Sequence, residues 1–177
     1  MRDWVQPAAL ALRFLSRLSL PGEDMARFGR DLPRALMFFP LAGALLAGLT
    51  ALVLLGAAQV FPLYLAVLLA LAFDAWLGRG LHEDALADLC DGLGGGRTPE
   101  DVLRIMKGSA IGAFGALALG FAVALRVAAL VAQDDPWRAA LVLVVAGAVA
   151  RLLMLAVIWR VPALPGLGGS VAGAMDG

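Results

Sequence analysis

Four stretches of this chain approach the number of consecutive apolar residues that a helix needs to cross the hydrocarbon core of a bilayer: near Met37 to Ala57, Pro62 to Gly78, Ser109 to Ala132 and Trp137 to Trp159. A core about 30 Å thick takes roughly 20 residues at helical rise, and inside it every backbone N–H and C=O must be paired within the protein. The chain is 62% hydrophobic and only 16% charged, which lies outside the range of an ordinary soluble domain. These features predict an all-α fold, a polytopic transmembrane helical bundle forming one integral membrane domain over residues 1–177. The first two spans are close enough, around Gln59 to Pro62, to form a tight hairpin whose second arm is short.

Ahead of the first span, Trp4 to Leu20 mixes Val5, Leu12, Phe14, Leu15 and Leu18 with Arg13 and Arg17. That is the composition of an N-terminal amphipathic helix lying in the membrane interface, and the arginines interrupt the apolar run that a secretory signal would keep. Fourteen basic residues balance fourteen acidic ones, so no overall field argues for nucleic acid as a partner. The single cysteine, Cys90, rules out an intramolecular disulfide. The placement of positive charge is more telling than its sum. Arg2, Arg13, Arg17, Arg27, Arg30 and Arg34 precede the first span, and Arg79, Arg97, Arg104 and Lys107 lie between the second and third. The positive-inside rule therefore puts the N-terminus, residues 79–108 and the C-terminus in the cytoplasm.

Three ionisable residues fall inside the predicted spans: Asp74, Arg126 and Arg151. A charge at the bilayer centre costs at least about 2.5 to 3.5 kcal/mol, so each should face protein, water or a partner. Asp74 is about one turn from the cytoplasmic end of its span, within reach of Arg79 or water. Arg126 sits in the outward half of its span and reads as structural or snorkelling, whereas Arg151 is deeper and points to a polar cavity. Small residues at spacing four, Gly43/Ala47 and Ala116/Gly120/Ala124, read as positions where helix backbones approach closely.

Residues 79–108 form an acidic loop. If His82 to Asp91 is helical, Asp84, Asp88 and Asp91 stand at i, i+4 and i+7 on one face. Like charges at that spacing repel, no lysine is interleaved, and a divalent cation would reverse the sign of the interaction. Carboxylate oxygens suit magnesium or manganese, which hold substrate phosphates through one or two carboxylates and water. Gly92 and Gly94, Gly95 and Gly96 follow, and predict a backbone turn whose exposed N–H groups cradle phosphate. Two plainer readings stay open: a solvated juxtamembrane helix, and zinc through His82 and Cys90, which falls short of the usual closed ligand set.

The stretches Leu81-His82-Glu83-Asp84-Ala85-Leu86-Ala87-Asp88-Leu89-Cys90-Asp91-Gly92 and Ile105-Met106-Lys107-Gly108-Ser109-Ala110-Ile111-Gly112 resemble the signature of the cobalamin synthase family, the adenosylcobinamide-GDP ribazoletransferases. Phe14-Leu15-Ser16-Arg17-Leu18, Phe39-Pro40-Leu41-Ala42-Gly43 and Gly166-Leu167-Gly168 extend the resemblance over nearly the whole chain. The resemblance implies an inner-membrane enzyme that joins α-ribazole or its 5′-phosphate to adenosylcobinamide-GDP, releases GMP and uses Mg2+. By the motif match Asp84, Asp88 and Asp91 would hold magnesium, and His82 or Glu83 would support the metal or accept the proton. Lys107 would pair with phosphate as a compact cation, or act as an interfacial anchor. The implied partners are the two substrates and the lipid bilayer, with self-association left open.

The chain departs from the family's pattern at Ala85, where the family has glycine, at Gly108, where it has aspartate, and at Ala110, where it has arginine. Ala163-Leu164-Pro165 lacks an expected tyrosine and arginine, and the chain is shorter than the family's usual length. These departures keep a second reading open, a truncated or divergent member that binds corrinoid or nucleotide as a non-catalytic membrane subunit. A third, a small transporter using Asp74 and Arg151, lacks an internal repeat or a broken-helix signature. The arginine distribution generates a direct topological expectation. In a Cys90→Ser background, Arg97→Cys should escape a reagent confined to the periplasm and Gln133→Cys should react with it; the opposite pattern would reverse the orientation.

Overall fold

Apolar length decides which helices can span, and glycine decides where they stop. The structure, a computed structural model, describes residues 4–18 and 33–160, and all regular structure among them is helical. In chain order the helices are α1 (Val5–Leu15), α2 (Phe39–Ala57), α3 (Leu63–Leu77), α4 (Leu81–Gly95), α5 (Pro99–Met106), α6 (Ala113–Val131) and α7 (Pro136–Arg160). Three of them, α2, α6 and α7, are long and apolar enough to cross a membrane, which makes this a multi-pass membrane protein. Arg2, Arg27, Arg30, Leu20, Ala163-Leu164-Pro165 and Gly166-Leu167-Gly168 lie outside the described residues.

The second predicted span, expected to be the short arm of the hairpin, is short. Its helix, α3, has 15 residues, about 22 Å at helical rise and short of a hydrocarbon core. The chain then breaks at Gly78-Arg79-Gly80 and continues as α4 at an angle of 87°. Arg79 and Gly80 both take left-handed backbone angles, with φ of 58° and 67°, a conformation that glycine adopts freely and arginine rarely does. The pair α3 and α4 is therefore a broken span or a re-entrant segment, although the sequence shows no broken-helix signature beyond these glycines. Residues 79–108 hold the helix weighed for His82 to Asp91, here α4, followed by the short helix α5.

The chain divides into two compact units, Met1–Val53 with Ala140–Gly177, and Leu54–Ala139. In the first, α1 buries Pro7, Ala9, Leu10, Ala11 and Leu15, and Phe14 stacks on Phe39 of α2 with ring centroids 5.5 Å apart. The buried stripe and the exposed Trp4 and Val5 make α1 amphipathic, as its composition predicts. It ends at Ser16, whose hydroxyl donates to the Leu12 carbonyl at 2.7 Å and accepts from the Leu18 N–H at 3.1 Å. Gly43 and Ala47 of α2 meet Gly147 of α7: a Cβ built at Gly147 would come 2.5 Å from the Ala47 Cβ and 2.8 Å from the Gly43 carbonyl oxygen. Arg151 lays its aliphatic stem over the same spot, its Cδ 2.9 Å from where a Gly43 Cβ would stand. The expected helix packing at Gly43/Ala47 is present.

In the second unit, Ala116, Gly120 and Ala124 are exposed, and nothing lies within 4 Å of a Cβ at Gly120. At Gly120 the stripe therefore meets no neighbour closely. Gly120 and Ala124 instead line an open apolar groove of about 740 Å³ with Tyr64, Leu68, Val123 and Val127. The contrast gives a prediction. Gly43→Val should destabilise the protein by about 1–3 kcal/mol through overpacking, while Gly120→Val should stay within about 0.5 kcal/mol of wild type, as measured by unfolding in detergent.

Candidate functional site

Helix α4 runs back along α6 in the opposite sense. Glu83, at its start, faces Arg126 in the last third of α6, its Oε1 3.7 Å from the guanidinium Nη1. Asp91, two turns further on, reaches the beginning of α6. Its Oδ2 accepts from the Gly112 N–H at 2.7 Å and its Oδ1 from the Gly115 N–H at 2.8 Å. Between these ends, Ala87 is buried and its carbonyl lies 2.9 Å from where a Gly115 Cβ would stand. Residues 83, 87, 91 and 94 recur at helical spacing and form the face that packs on α6.

Glycines let the helices approach this closely. A Cβ on Gly112 or Gly115 would collide with the Asp91 carboxylate, and one on Gly94 with the Phe114 ring. On another face of α4, Gly92 and Gly96 receive α5: Met106 Cγ stands 2.7 Å, and Val102 Cγ2 2.6 Å, from the respective Cβ positions. Helix α5 begins with Thr98, whose hydroxyl accepts from the Asp101 N–H at 3.2 Å, and with proline in its first turn, both ordinary helix-start signals. Arg104 pairs with Asp101 at 2.9 Å across one turn.

The predicted phosphate cradle at Gly94, Gly95 and Gly96 is not present. Gly94 and Gly95 are inside α4, with their amides committed to a helix, and Gly96 is its C-cap, its N–H bonded to the Gly92 carbonyl at 2.8 Å. The physical reason is that these glycines are selected for contact: lacking Cβ atoms, they admit Phe114 and α5, and close packing holds the helix through them.

The candidate acidic residues separate into two groups. Asp84 is exposed and Asp88 half-buried; they stand one turn apart, and neither has a hydrogen-bond or ion-pair partner among the described residues. Asp91 is only 8% exposed, and both its oxygens are engaged by α6. His82 is exposed at the start of α4, but two residues before Asp84 it projects from nearly the opposite side of the helix. Glu83 is turned to Arg126. Lys107, exposed, is the C-cap of α5, and its backbone N–H bonds to the Leu103 carbonyl at 3.2 Å. Its neighbour Met106 packs on Gly92, so the end of α5 lies beside the later turns of α4. Among the described residues no three His, Cys, Asp or Glu side chains gather closely enough to hold a metal by themselves. Cys90 is half-buried.

Two of the charges at membrane depth pair with each other: the Asp74 Oδ2 accepts from Arg126 Nη2 at 2.7 Å. Arg126, expected to be structural or snorkelling, has a structural role: it is the cation shared by α3, α4 and α6. The signal was available in its position within an apolar run, opposite an aspartate in another.

Comparison with known proteins fits this arrangement. The family model for cobalamin-5-phosphate synthase (CobS) matches residues 7–177. A protein of Leptothrix cholodnii named adenosylcobinamide-GDP ribazoletransferase is 41% identical over 161 residues, covering 86% of this chain and 58% of its own. A Rhizobium etli protein of the same name is 41% identical over 170 residues, or 93% of this chain and 64% of the relative. One from Xanthobacter autotrophicus is 46% identical over 143 residues, or 77% and 54%. The chain thus spans less than two thirds of the length of these curated relatives. No solved structure matches it. The acidic helix, the glycines that seat it and the spans around it all fall within the matched stretch, and the chain belongs to the cobalamin-5-phosphate synthase family.

Proposed function

We propose that this chain carries the phosphate-facing part of a membrane ribazoletransferase that joins α-ribazole, or its 5′-phosphate, to adenosylcobinamide-GDP and releases GMP. The observation that carries this reading is the open acidic edge of α4, where Asp84 and Asp88 stand one turn apart without a partner among the described residues. Two carboxylates with like charge and no counter-ion fit the way magnesium is held in phosphate sites, through one or two side chains with substrate oxygens and water completing the shell. The family names of the relatives supply the substrate class.

In this reaction a ribazole hydroxyl attacks the phosphorus next to cobinamide, a new P–O bond forms, and the bond to the bridging oxygen breaks as GMP departs. Magnesium, when bound, neutralises charge on the phosphoryl oxygens. This chain's own part is positioning and charge. Asp84 and Asp88 provide the anionic edge, and Lys107 supplies a compact cation near the later turns of α4. Glu83 is committed to Arg126 and His82 projects from nearly the opposite side of α4, so the proton of the attacking hydroxyl leaves to solvent water rather than to either side chain. The arginines flanking the first span and those of residues 79–108 support an inner-membrane protein with α4 and α5 on the cytoplasmic side.

A second reading, a non-catalytic subunit that binds corrinoid or nucleotide, is favoured by Gly108 and Ala110. These exposed positions between α5 and α6 bring neither carboxylate nor cation to the edge. One assay separates the two: purified protein in detergent with adenosylcobinamide-GDP, α-ribazole and Mg2+, followed for GMP release and corrinoid product together. Turnover supports the transferase, and tight substrate binding without turnover supports the subunit. In the transferase, Asp88→Ala should lower GMP release by about 100-fold and abolish the Mn2+ resonance change seen with substrate. A wild-type protein whose substrate binding ignores both metals would overturn the metal assignment.

A further inference from the structure

We infer that Asp91 is a positioning residue that caps α6 from outside the helix, and that only Asp84 and Asp88 of the three co-facial aspartates face metal and phosphate. The inference rests on the metal reading above for its second half and on geometry alone for its first. Helix α6 opens at Gly112, which has no side chain to cap it, and no residue of the turn from Ser109 supplies a side-chain cap. The first N–H groups of a helix need acceptors. Asp91 provides both, from 21 and 24 residues away: one oxygen on the Gly112 N–H and the other on the Gly115 N–H. These are the amides that a good N-cap residue and its neighbours would leave for a side-chain oxygen.

Three further observations separate Asp91 from its neighbours on the same face. It is 8% exposed, whereas Asp84 is exposed. Gly112 and Gly115 come so close that a Cβ on either would strike its carboxylate, so the backbone of α6 seals the oxygens. The positive end of a helix dipole also attracts an anion and repels a divalent cation. A metal seated on Asp91 would thus meet the partial charge that the carboxylate is there to offset. The result is a latch: α4, which carries the acidic edge, is held to α6 by a member of the same aspartate series.

The test uses the full chain in detergent, with hydrogen exchange of the peptides covering the start of α6 and Mn2+ resonance in the presence of GDP as paired readouts. Asp91→Asn should speed exchange around Gly112 to Gly115 by at least tenfold and change Mn2+ affinity by less than twofold. Asp88→Asn should do the reverse. Gly115→Ala, which leaves every aspartate in place, should speed the same exchange, so that the cap is tested even where an Asp91 variant folds poorly. The substitution Asp91→Ala vacates the space that a Cβ at residue 112 needs. Adding Gly112→Ser to it restores a local cap and should recover protection, which loss of a metal ligand would not allow. Tenfold weaker Mn2+ binding in Asp91→Asn with unchanged exchange would overturn the inference. If wild type shows no Mn2+ response, the metal reading fails while the exchange results still decide the cap.

Discussion

A guanidinium inside an apolar helix has to be paired, and the way Arg126 meets that requirement organises the unit that holds the acidic helix. It donates to Asp74 of α3 at 2.7 Å and stands 3.7 Å from Glu83 of α4. Those carboxylates lie on opposite sides of the break at Gly78-Arg79-Gly80. The left-handed residues allow the chain to turn there, but a flexible turn does not choose an angle. A cation anchored on a third helix does, because both acids must come to it. The Arg126 side chain is 42% exposed and both carboxylates are partly exposed, so its contribution is to orientation more than to net stability.

Once α4 is aimed along α6, close approach becomes the governing constraint. Gly92, Gly94, Gly96, Gly112 and Gly115 are each met by a side chain or carboxylate at a distance that leaves no room for a Cβ. Packing in the absence of a strong hydrophobic drive between lipid-facing helices depends on such approach. The glycine-rich character of this stretch therefore belongs to the frame of the site. It lets α5 and the first turn of α6 close on α4 from two sides, leaving the Asp84 and Asp88 edge open between them.

Much of this was legible in the residues. The long spans follow from apolar length alone, and the carboxylate spacing from Asp84 to Asp91 implies the helix that α4 forms. Thr98 and Pro99 also announce α5, although the stretch reads at first as loop. The break after Leu77 was harder, because Gly78-Arg79-Gly80 is compatible with an ordinary inter-helix loop and only the direction of α4 reveals a broken segment. The glycines at 94 to 96 were misread because composition does not distinguish a glycine that frees the backbone from one that admits a neighbour. That difference lies in the packing partner, Phe114 or Val102, which is distant in sequence or on another helix.

The charge balance along α4 now looks different from the one its sequence suggests. Three aspartates on one face without a lysine imply repulsion of about 0.2–0.5 kcal/mol for each close pair, which a metal would be needed to relieve. With Asp91 seated on the amides of Gly112 and Gly115, its charge is offset by the start of α6 and by the dipole behind it. Glu83 is offset by Arg126. Only the Asp84 and Asp88 pair remains, a repulsion that helix packing easily carries. The acidic helix therefore has no need of a resident cation to hold its shape. In the proposed reading this is an advantage: magnesium can enter with the diphosphate it neutralises and leave with the product, because the fold does not depend on keeping it.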